Sequence, residues 1–370
     1  MVDWGEVREQ FPITKRVAYL NAAEGSPIPK LAAREAKRFY DEALAEGEAA
    51  WGRWLERLEE VREKTAKFIN AGKDEIAFTL NTSHGMNLIA GMLVGEGGVV
   101  TMEDEFPSST LPWLNKGFKV KFVKPRNNVY DLESIGRALS GEAKILVTSH
   151  VQYATGFKQD LAGLGELCES RGLTYVVNAT QSAGAMPIDV KEARVDFLVF
   201  SGLKWLMAGH GVGVLYVNKK WHGKLKYPFA GWRSVKDPGS MDNKNLDFKP
   251  SALALEAGCP HFPNIFALGG ALDLLNAVGK GNVEKRIYEL GDRLVEGLAE
   301  LRLSVLSPLE REHRSGITLV KVRNPAGMVK ELSKRGAVVS ARGGGLRASV
   351  HIYNNERDVD RLVEELGRLL

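Results

Sequence analysis

The sequence has little of several features that define whole classes of protein. Its two cysteines, Cys168 and Cys259, give neither a disulfide framework nor the paired spacing of a zinc site. The net charge of +4 is too small for 370 residues to indicate a nucleic-acid surface. No apolar run approaches the length of a membrane span. We therefore expect no metal, no nucleic-acid partner and no membrane insertion.

The composition that remains is that of an ordinary globular protein. Hydrophobic residues make up 44% and charged residues 26% of the chain. A length of 370 residues indicates about two domains and a large core. The first residues, MVDWGEVREQF, are amphipathic and acidic, unlike a signal peptide, so we expect a cytoplasmic location.

Strand and helix signals alternate from residue 76 to residue 217. Such alternation predicts an α/β fold with a mostly parallel sheet covered by helices on both faces. The predicted strands are 76–80, 99–102, 119–123, 145–149, 174–177, 196–200 and 212–217, and the predicted helices are 29–45, 53–70, 83–94, 132–139 and 161–171.

The pattern divides the chain into four parts. Residues 1–28 are predicted to be an N-terminal arm, and 29–262 a large domain whose last forty residues lack a clear period. An apolar helix, 263–278, should link this domain to a smaller α+β domain, 282–370, with residues 263–281 as the linking segment. The predicted helices of that domain are 283–301, 328–335 and 356–370, and its strands are 316–322, 337–340 and 346–350.

Polar residues follow two neighbouring predicted strands at the point where each ends. In an α/β sheet, ligands bind outside the carboxyl ends of the strands. Lys204 would then lie at the mouth of the sheet among apolar neighbours, where burial lowers the pKa of the amine and makes it a nucleophile. The alternative is a lysine whose stem packs on Trp205 and whose head reaches water. The polar residues after the strands are Asn178, Thr180, Gln181 and Ser201.

A second candidate site joins the predicted strand 76–80 to a helix N-terminus. Thr82, Ser83 and His84 begin this helix, where free N–H groups and the helix dipole favour a phosphate. The alternative is simple capping, for which Thr82 or Ser83 would serve.

The central motifs resemble those of a known family. Asn178-Ala-Thr-Gln181, then Ser201-Gly-Leu-Lys204-Trp, then a glycine-rich run and a strand, resemble the class V aminotransferases. These are pyridoxal-phosphate (PLP) enzymes of fold type I and include cysteine desulfurases, selenocysteine lyases and isopenicillin N epimerase-like proteins. The match extends over almost the whole chain in the right order. It implies a seven-stranded sheet, a Schiff base on Lys204, a small α-amino acid substrate and a homodimer whose active sites lie at the interface.

The resemblance also assigns roles to individual residues. Arg347, which follows the glycine run 343–345, would bind the substrate carboxylate, because a planar guanidinium matches that group; Arg342 and Arg233 are the alternatives. Phe106 lies where the family places a stacking aromatic residue, and Cys259 where it often has a threonine that reaches the partner's phosphate. Thr82, Ser83, His84, Phe106, Asn178, Thr180, Gln181, Ser201 and Cys259 would bind the cofactor, and Asn21, Gln152, Tyr153 and Arg347 the substrate.

Departures from the family pattern bear on the reaction. Asn178 stands where these enzymes usually have the aspartate that keeps the ring nitrogen protonated, so the ring should withdraw electrons less strongly. Either the chemistry tolerates an amide there, or an aspartate has been replaced. The segment 339–345 lacks the cysteine that accepts sulfur in cysteine desulfurases, and Leu203 replaces the usual histidine. The best prediction is desulfurase-like C–S cleavage; the alternatives are an aminotransferase, an epimerase or a non-catalytic PLP-binding relative.

Overall fold

A computed structural model describes residues 2–370 and shows a three-layer α/β region that is followed by a smaller α+β region. Short 3₁₀ turns lie between several of the elements. The helices and strands of the first region are α1 (Trp4–Glu9), β1 (Ala18–Tyr19), α2 (Lys30–Glu46), α3 (Trp51–Phe68), β2 (Ile76–Thr79), α4 (Thr82–Met92), β3 (Gly98–Met102), α5 (Pro107–Asn115), β4 (Val120–Val123), α6 (Leu132–Ala138), β5 (Ala143–Ser149), α7 (Leu161–Ser170), β6 (Thr174–Asn178), β7 (Phe197–Ser201), β8 (Gly213–Val217) and α8 (Phe262–Val278).

The predicted seven-stranded, mostly parallel sheet is confirmed. The strand order is β2-β8-β7-β6-β5-β3-β4; β8 runs antiparallel to both β2 and β7, and the other neighbouring strands pair in parallel. Every residue of β6, β7 and β8 is buried, as expected for central strands covered on both faces. The last residues of β5 and β6, Ser149 and Asn178, pair directly. Ser201 ends β7 beside them, so these three side chains share one edge of the sheet.

The elements of the C-terminal region are α9 (Lys280–Glu300), β9 (Ile317–Val320), α10 (Pro325–Lys334), β10 (Ala337–Val338), β11 (Ser340–Arg342), β12 (Gly345–Ser349) and α11 (Glu356–Gly367). This region is built around a small antiparallel sheet with the strand order β11-β12-β9. The N-terminal arm belongs to this region by contact, because β1 pairs with β10 and Asn21 forms a bridge with Ser349. The predicted apolar helix 263–278 is observed as α8, and the axes of α8 and α9 differ by 80° across Gly279.

Three local features differ from the sequence-based expectation. Helix α5 was not predicted, because Pro112 lies inside it, yet Pro107 occupies its first position, where a missing N–H costs nothing. Helix α4 is capped by Asn81, whose side chain accepts from the His84 N–H, and neither Thr82 nor Ser83 is the cap. Strand β11 was not predicted as a separate strand: the predicted strand 337–340 covers β10 and only the first residue of β11, which a tight hairpin with Gly343 and Gly344 at positive φ folds onto β12.

No single helix within residues 2–370 has the length and apolar content needed to cross a membrane. The bent pair α8 and α9 passes the same test of length and composition when the two helices are taken together. Helix α8 is buried for most of its length, packed against α2 and α3.

Candidate active site

A cavity of about 170 Å³ opens where β5, β6 and β7 end. It collects side chains from separate parts of the sequence, as the motifs predicted. Lys204 lies in its wall, and the Lys204 Nζ is 5.6 Å from the centre of the Phe106 ring. The predicted residues that line it together with Lys204 are Thr82, Ser83, Phe106, Tyr153, Asn178, Thr180, Gln181 and Ser201.

The loop that carries Lys204 is fixed by its neighbour Trp205. The indole of Trp205 is fully buried and donates to Gln181 Oε1 at 2.9 Å. The Trp205 carbonyl is 2.8 Å from His351 Nε2. Burial lowers the pKa of Lys204 to about 8, and the charge of Arg347 acts in the same direction. The lowered pKa increases the neutral, nucleophilic fraction of this amine near neutral pH.

One wall of the cavity is rich in hydroxyl groups and helix N-termini. The first N–H groups of a helix have no acceptor within it, and both α4 and α5 begin at this wall. Ser83 Oγ and Ser108 Oγ, one from each helix, lie 2.7 Å apart. The Ser201 hydroxyl is buried and has no hydrogen-bond partner. This wall has the donors that a phosphate group requires.

The orientation of the Asn178 amide is determined by its neighbours. The Thr180 N–H can only donate, so the atom that faces it at 3.0 Å is Asn178 Oδ1. Asn178 Nδ2 therefore donates to Ser109 Oγ at 2.9 Å. Asn178 Oδ1 can accept one more hydrogen bond, and Asn178 Nδ2 can donate one more. Asn178 can thus hold a ring nitrogen but offers no charge to it.

A buried carboxylate lies behind Asn178. Glu105 Oε1 accepts from the Ser149 N–H at 2.6 Å and from Gln152 Nε2 at 3.0 Å. Burial raises the pKa of Glu105, and hydrogen bonds from Ser149, Gln152 and Ser109 oppose that rise. Gln152, predicted to bind substrate, is held by Glu105 and does not line the cavity, although its carbonyl oxygen is unpartnered.

Arg347 lies on β12 and is only 1% exposed. Its guanidinium donates to the Tyr153 carbonyl at 2.5 Å, to Ser340 Oγ at 3.1 Å and to Glu24 Oε2 at 2.9 Å. Burial lowers the pKa of Arg347 to about 10, and Glu24 opposes this shift. Arg342 holds the other oxygen of Glu24 at 2.7 Å. The predicted carboxylate-binding arginine is thus already paired with a carboxylate of this chain.

Two predicted cofactor residues lie elsewhere in the chain's structure. His84 and Cys259 line a neighbouring cavity of about 310 Å³. The His84 ring stacks on Phe229, and burial lowers the pKa of His84. Neither residue lines the Lys204 cavity, so their assigned roles stay predictions. Asn21, predicted to bind substrate, is nearly buried beside Ser349, and its Oδ1 has no partner.

Several residues of the site were not among the predicted ones. Asn81 directly follows the predicted strand 76–80, and Ser149 ends the predicted strand 145–149. Their place at the ends of these strands was the one signal in the sequence that could have indicated them. Ser108 belongs to the helix that was missed. Glu24 lies in a turn of the N-terminal arm, and only the pairing of that arm with the C-terminal region brings it to Arg347.

Comparison with known proteins identifies the family to which the whole chain is similar. The sequence profile described as Aminotransferase class-V matches residues 18–362. A probable cysteine desulfurase of Pyrococcus abyssi is 31% identical over 99% of this chain and 97% of its own length. One from Methanothermobacter thermautotrophicus is 30% identical over 98% and 97%. An apo structure of the cysteine desulfurase from Thermococcus onnurineus NA1 superposes with a TM-score of 0.91 at 26% identity, covering 100% of this chain and 98% of that one.

Proposed function

The chain belongs to the class V aminotransferase family, and from this premise we propose that it cleaves the carbon–sulfur bond of cysteine or a closely similar amino acid. It is a PLP-dependent enzyme, as the other members of that family are. The observation that carries the proposal is Lys204, an amine whose pKa is lowered to about 8 in a polar-walled cavity at the carboxyl edge of the sheet. Relatives named as cysteine desulfurases support the choice of substrate.

The residues around the cavity fit pyridoxal phosphate. The orphaned Ser201 hydroxyl and the two helix N-termini would receive the phosphate, together with Thr82 and Ser83. Lys204 would hold the aldehyde carbon, Phe106 would cover one face of the ring, and Asn178 would face the ring nitrogen. When bound, this cofactor supplies an electron sink for the bond that breaks at the amino acid.

Three residues of the chain would act on the substrate. Lys204 would take and return the proton at the substrate's α carbon, and its lowered pKa suits that role. Arg347 would bind the substrate's carboxylate and thereby set which bond stands perpendicular to the ring. The backbone carbonyl of Tyr153 accepts a hydrogen bond from Arg347, and the Tyr153 ring packs edge-on against Phe106. Tyr153 therefore connects Arg347 to the cavity that contains Lys204.

The fate of the sulfur follows from the residues near the site. Of the two cysteines, Cys168 is buried in α7 and Cys259 lines the neighbouring cavity. The hairpin that joins β11 and β12 carries glycine at its turn. We propose that sulfur passes to a thiol supplied from outside, so that cysteine and the thiol give alanine and a persulfide of that thiol.

We also propose a homodimer. Exposed apolar side chains support it, because Trp232, Met241 and Leu246 lie in the irregular segment before α8 and are 42%, 72% and 62% exposed. A second copy would cover them and could bring Cys259 to the partner's cofactor phosphate. The two free cysteines fit a reducing compartment, and we propose the cytoplasm.

A product screen tests the proposed reaction. The PLP-loaded protein is incubated with cysteine and dithiothreitol, and alanine, pyruvate and sulfide are quantified. We expect alanine and sulfide in equal amounts; pyruvate with ammonia would indicate C–S cleavage by elimination.

The same screen decides between the alternatives. Alanine with a keto acid tests an aminotransferase, and chiral analysis of the recovered amino acid tests an epimerase. A protein that holds PLP at Lys204 and yields no product from any of these would be a non-catalytic relative, and the proposed reaction would be wrong.

A further inference from the structure

Arg347, the arginine proposed to bind the substrate's carboxylate, is already paired with Glu24, a carboxylate of the same chain. Glu24 bridges Arg347 and Arg342, with one oxygen on each guanidinium, at 2.9 Å and 2.7 Å. Arg347 is 1% exposed at its side chain, whereas Glu24 is 45% exposed and lies on its solvent side. An α-carboxylate approaching Arg347 from solvent therefore meets Glu24 first.

The backbone that carries Glu24 is fixed on both sides. The Ala23 N–H donates to Ser349 Oγ at 2.9 Å, and the Ser26 N–H donates to the carbonyl of Leu203 at 3.0 Å. The Tyr19 hydroxyl donates to the Gly25 carbonyl at 2.8 Å. This turn is thus held to β12 and to the loop of Lys204. Movement at this position is left to the Glu24 side chain.

The two arginines differ in a way that suits an exchange of partners. Arg347 is buried, and a buried guanidinium without a counter-ion is strongly destabilising. Arg342 is 43% exposed beside the Gly343–Gly344 turn, where water already stabilises its charge. Glu24 can leave Arg347 and remain on Arg342, provided that another carboxylate takes its place on Arg347.

We propose that Glu24 is a specificity-determining residue, an internal counter-ion that occupies Arg347 until a substrate carboxylate displaces it onto Arg342. The proposal rests on the proposed function only in that Arg347 receives the substrate's carboxylate. It adds a selection on charge. Two guanidinium groups are balanced by Glu24 and one substrate carboxylate, so a second carboxylate on the substrate would be unbalanced. The substrate class is then an amino acid with an uncharged side chain, and dicarboxylic amino acids are excluded.

The test measures the binding of carboxylates that cannot react. Propionate and succinate, which lack an amino group, are titrated calorimetrically into the PLP-loaded native protein and the Glu24→Gln variant. Glutamine removes the competing charge, so propionate should bind at least about 10-fold more tightly, the lower limit for a hydrogen bond to a charged group. Succinate should gain more than propionate, because Glu24→Gln leaves one guanidinium charge unbalanced.

Two further variants complete the design. Glu142→Gln changes the net charge equally at a surface pair with Lys119 and should leave both affinities unchanged. Glu24→Asp keeps the charge but shortens the reach to Arg347. It should tighten propionate binding and still discriminate against succinate.

Unchanged or weaker propionate binding in both Glu24 variants would overturn the proposal and would make Glu24 a support for Arg347. Equal gains for propionate and succinate in Glu24→Gln would overturn the selection on charge. These titrations need no turnover, so a failed product screen does not affect them, and their failure would leave the C–S cleavage proposal intact.

Discussion

The two ends of the active site are built in opposite ways. The cavity at the large sheet leaves polar capacity unused: the Ser201 hydroxyl has no partner, and Asn178 keeps a free donor and a free acceptor. The Arg347 end is closed on itself, because Glu24, Ser340 and Tyr153 occupy the guanidinium.

The difference follows from the cost of burying each kind of group. A buried hydroxyl without a partner costs roughly 1–3 kcal/mol on mutational scales, which a large domain tolerates at a binding site. A guanidinium as deeply buried as that of Arg347 is strongly destabilising when it has no counter-ion. The cavity at the large sheet can therefore remain stable without a ligand, whereas Arg347 needs a counter-ion from the chain.

The largest effect is expected from replacing Lys204, because this removes the amine to which the cofactor would be attached. Lys204 lies at the open end of the site, which is the cavity at the large sheet; the Arg347 end is the closed end. Borohydride reduction of the PLP-loaded native protein should place a pyridoxyl label on the peptide that contains Lys204, read by mass spectrometry. In Lys204→Ala the label should be absent and turnover abolished. Lys158, which donates to the Tyr288 hydroxyl and does not line the cavity, is the control, and Lys158→Ala should label normally. A label on another lysine of the native protein would refute the assignment.

Arg347→Lys probes the closed end. Lysine keeps the charge but loses the planar fork, so PLP should stay bound while amino-acid affinity falls by about 10–100-fold, equivalent to about 1.5–3 kcal/mol. The measurement is a titration of the cofactor's visible band with alanine or cysteine. Equal midpoints for native and variant protein would remove Arg347 from the substrate site and make Arg342 the next residue to test.

Asn178→Asp changes the open end by a single charge. The carboxylate would stabilise a protonated ring nitrogen, so cofactor retention and exchange of the α proton should both increase, by roughly 10-fold for one pKa unit of stabilisation. Dialysis followed by absorbance measures retention, and NMR in heavy water measures exchange. If both fall, Asn178 does not contact the ring nitrogen.

The smallest expected effect is the influence of the Arg347 charge on the pKa of Lys204, which links the two ends of the site. The neutral Lys204 amine is the form that attacks an aldehyde, and its pKa of about 8 is lowered first by burial and then by Arg347. The rate of PLP loading should therefore rise with pH and level off above about 8. Arg347→Gln should move this midpoint upward, whereas Arg347→Lys, which retains the charge, should not. A midpoint that is the same in all three proteins would show that the ends are not coupled electrostatically.

Much of the fold could be predicted because its strands are short, β-branched and buried on both faces. All seven strands of the large sheet were found within two residues of their observed limits. Helix α5 was not predicted because it contains Pro112, which destabilises a helix interior. Tertiary packing offsets this destabilisation, since Pro112 and Trp113 are both buried. Strand β11 was lost because three residues are too few for a periodic signal.

The sequence by itself determined the open end of the site. Its residues follow strand ends, and parallel strands bring those ends to one edge, so Asn178, Ser201 and Lys204 could be grouped from local pattern alone. The closed end was decided only by the tertiary structure. Glu24 and Arg347 are 323 positions apart, and they meet because β1 pairs with β10 across the chain. No local pattern carries that pairing, which depends on burial and charge balance in the folded protein.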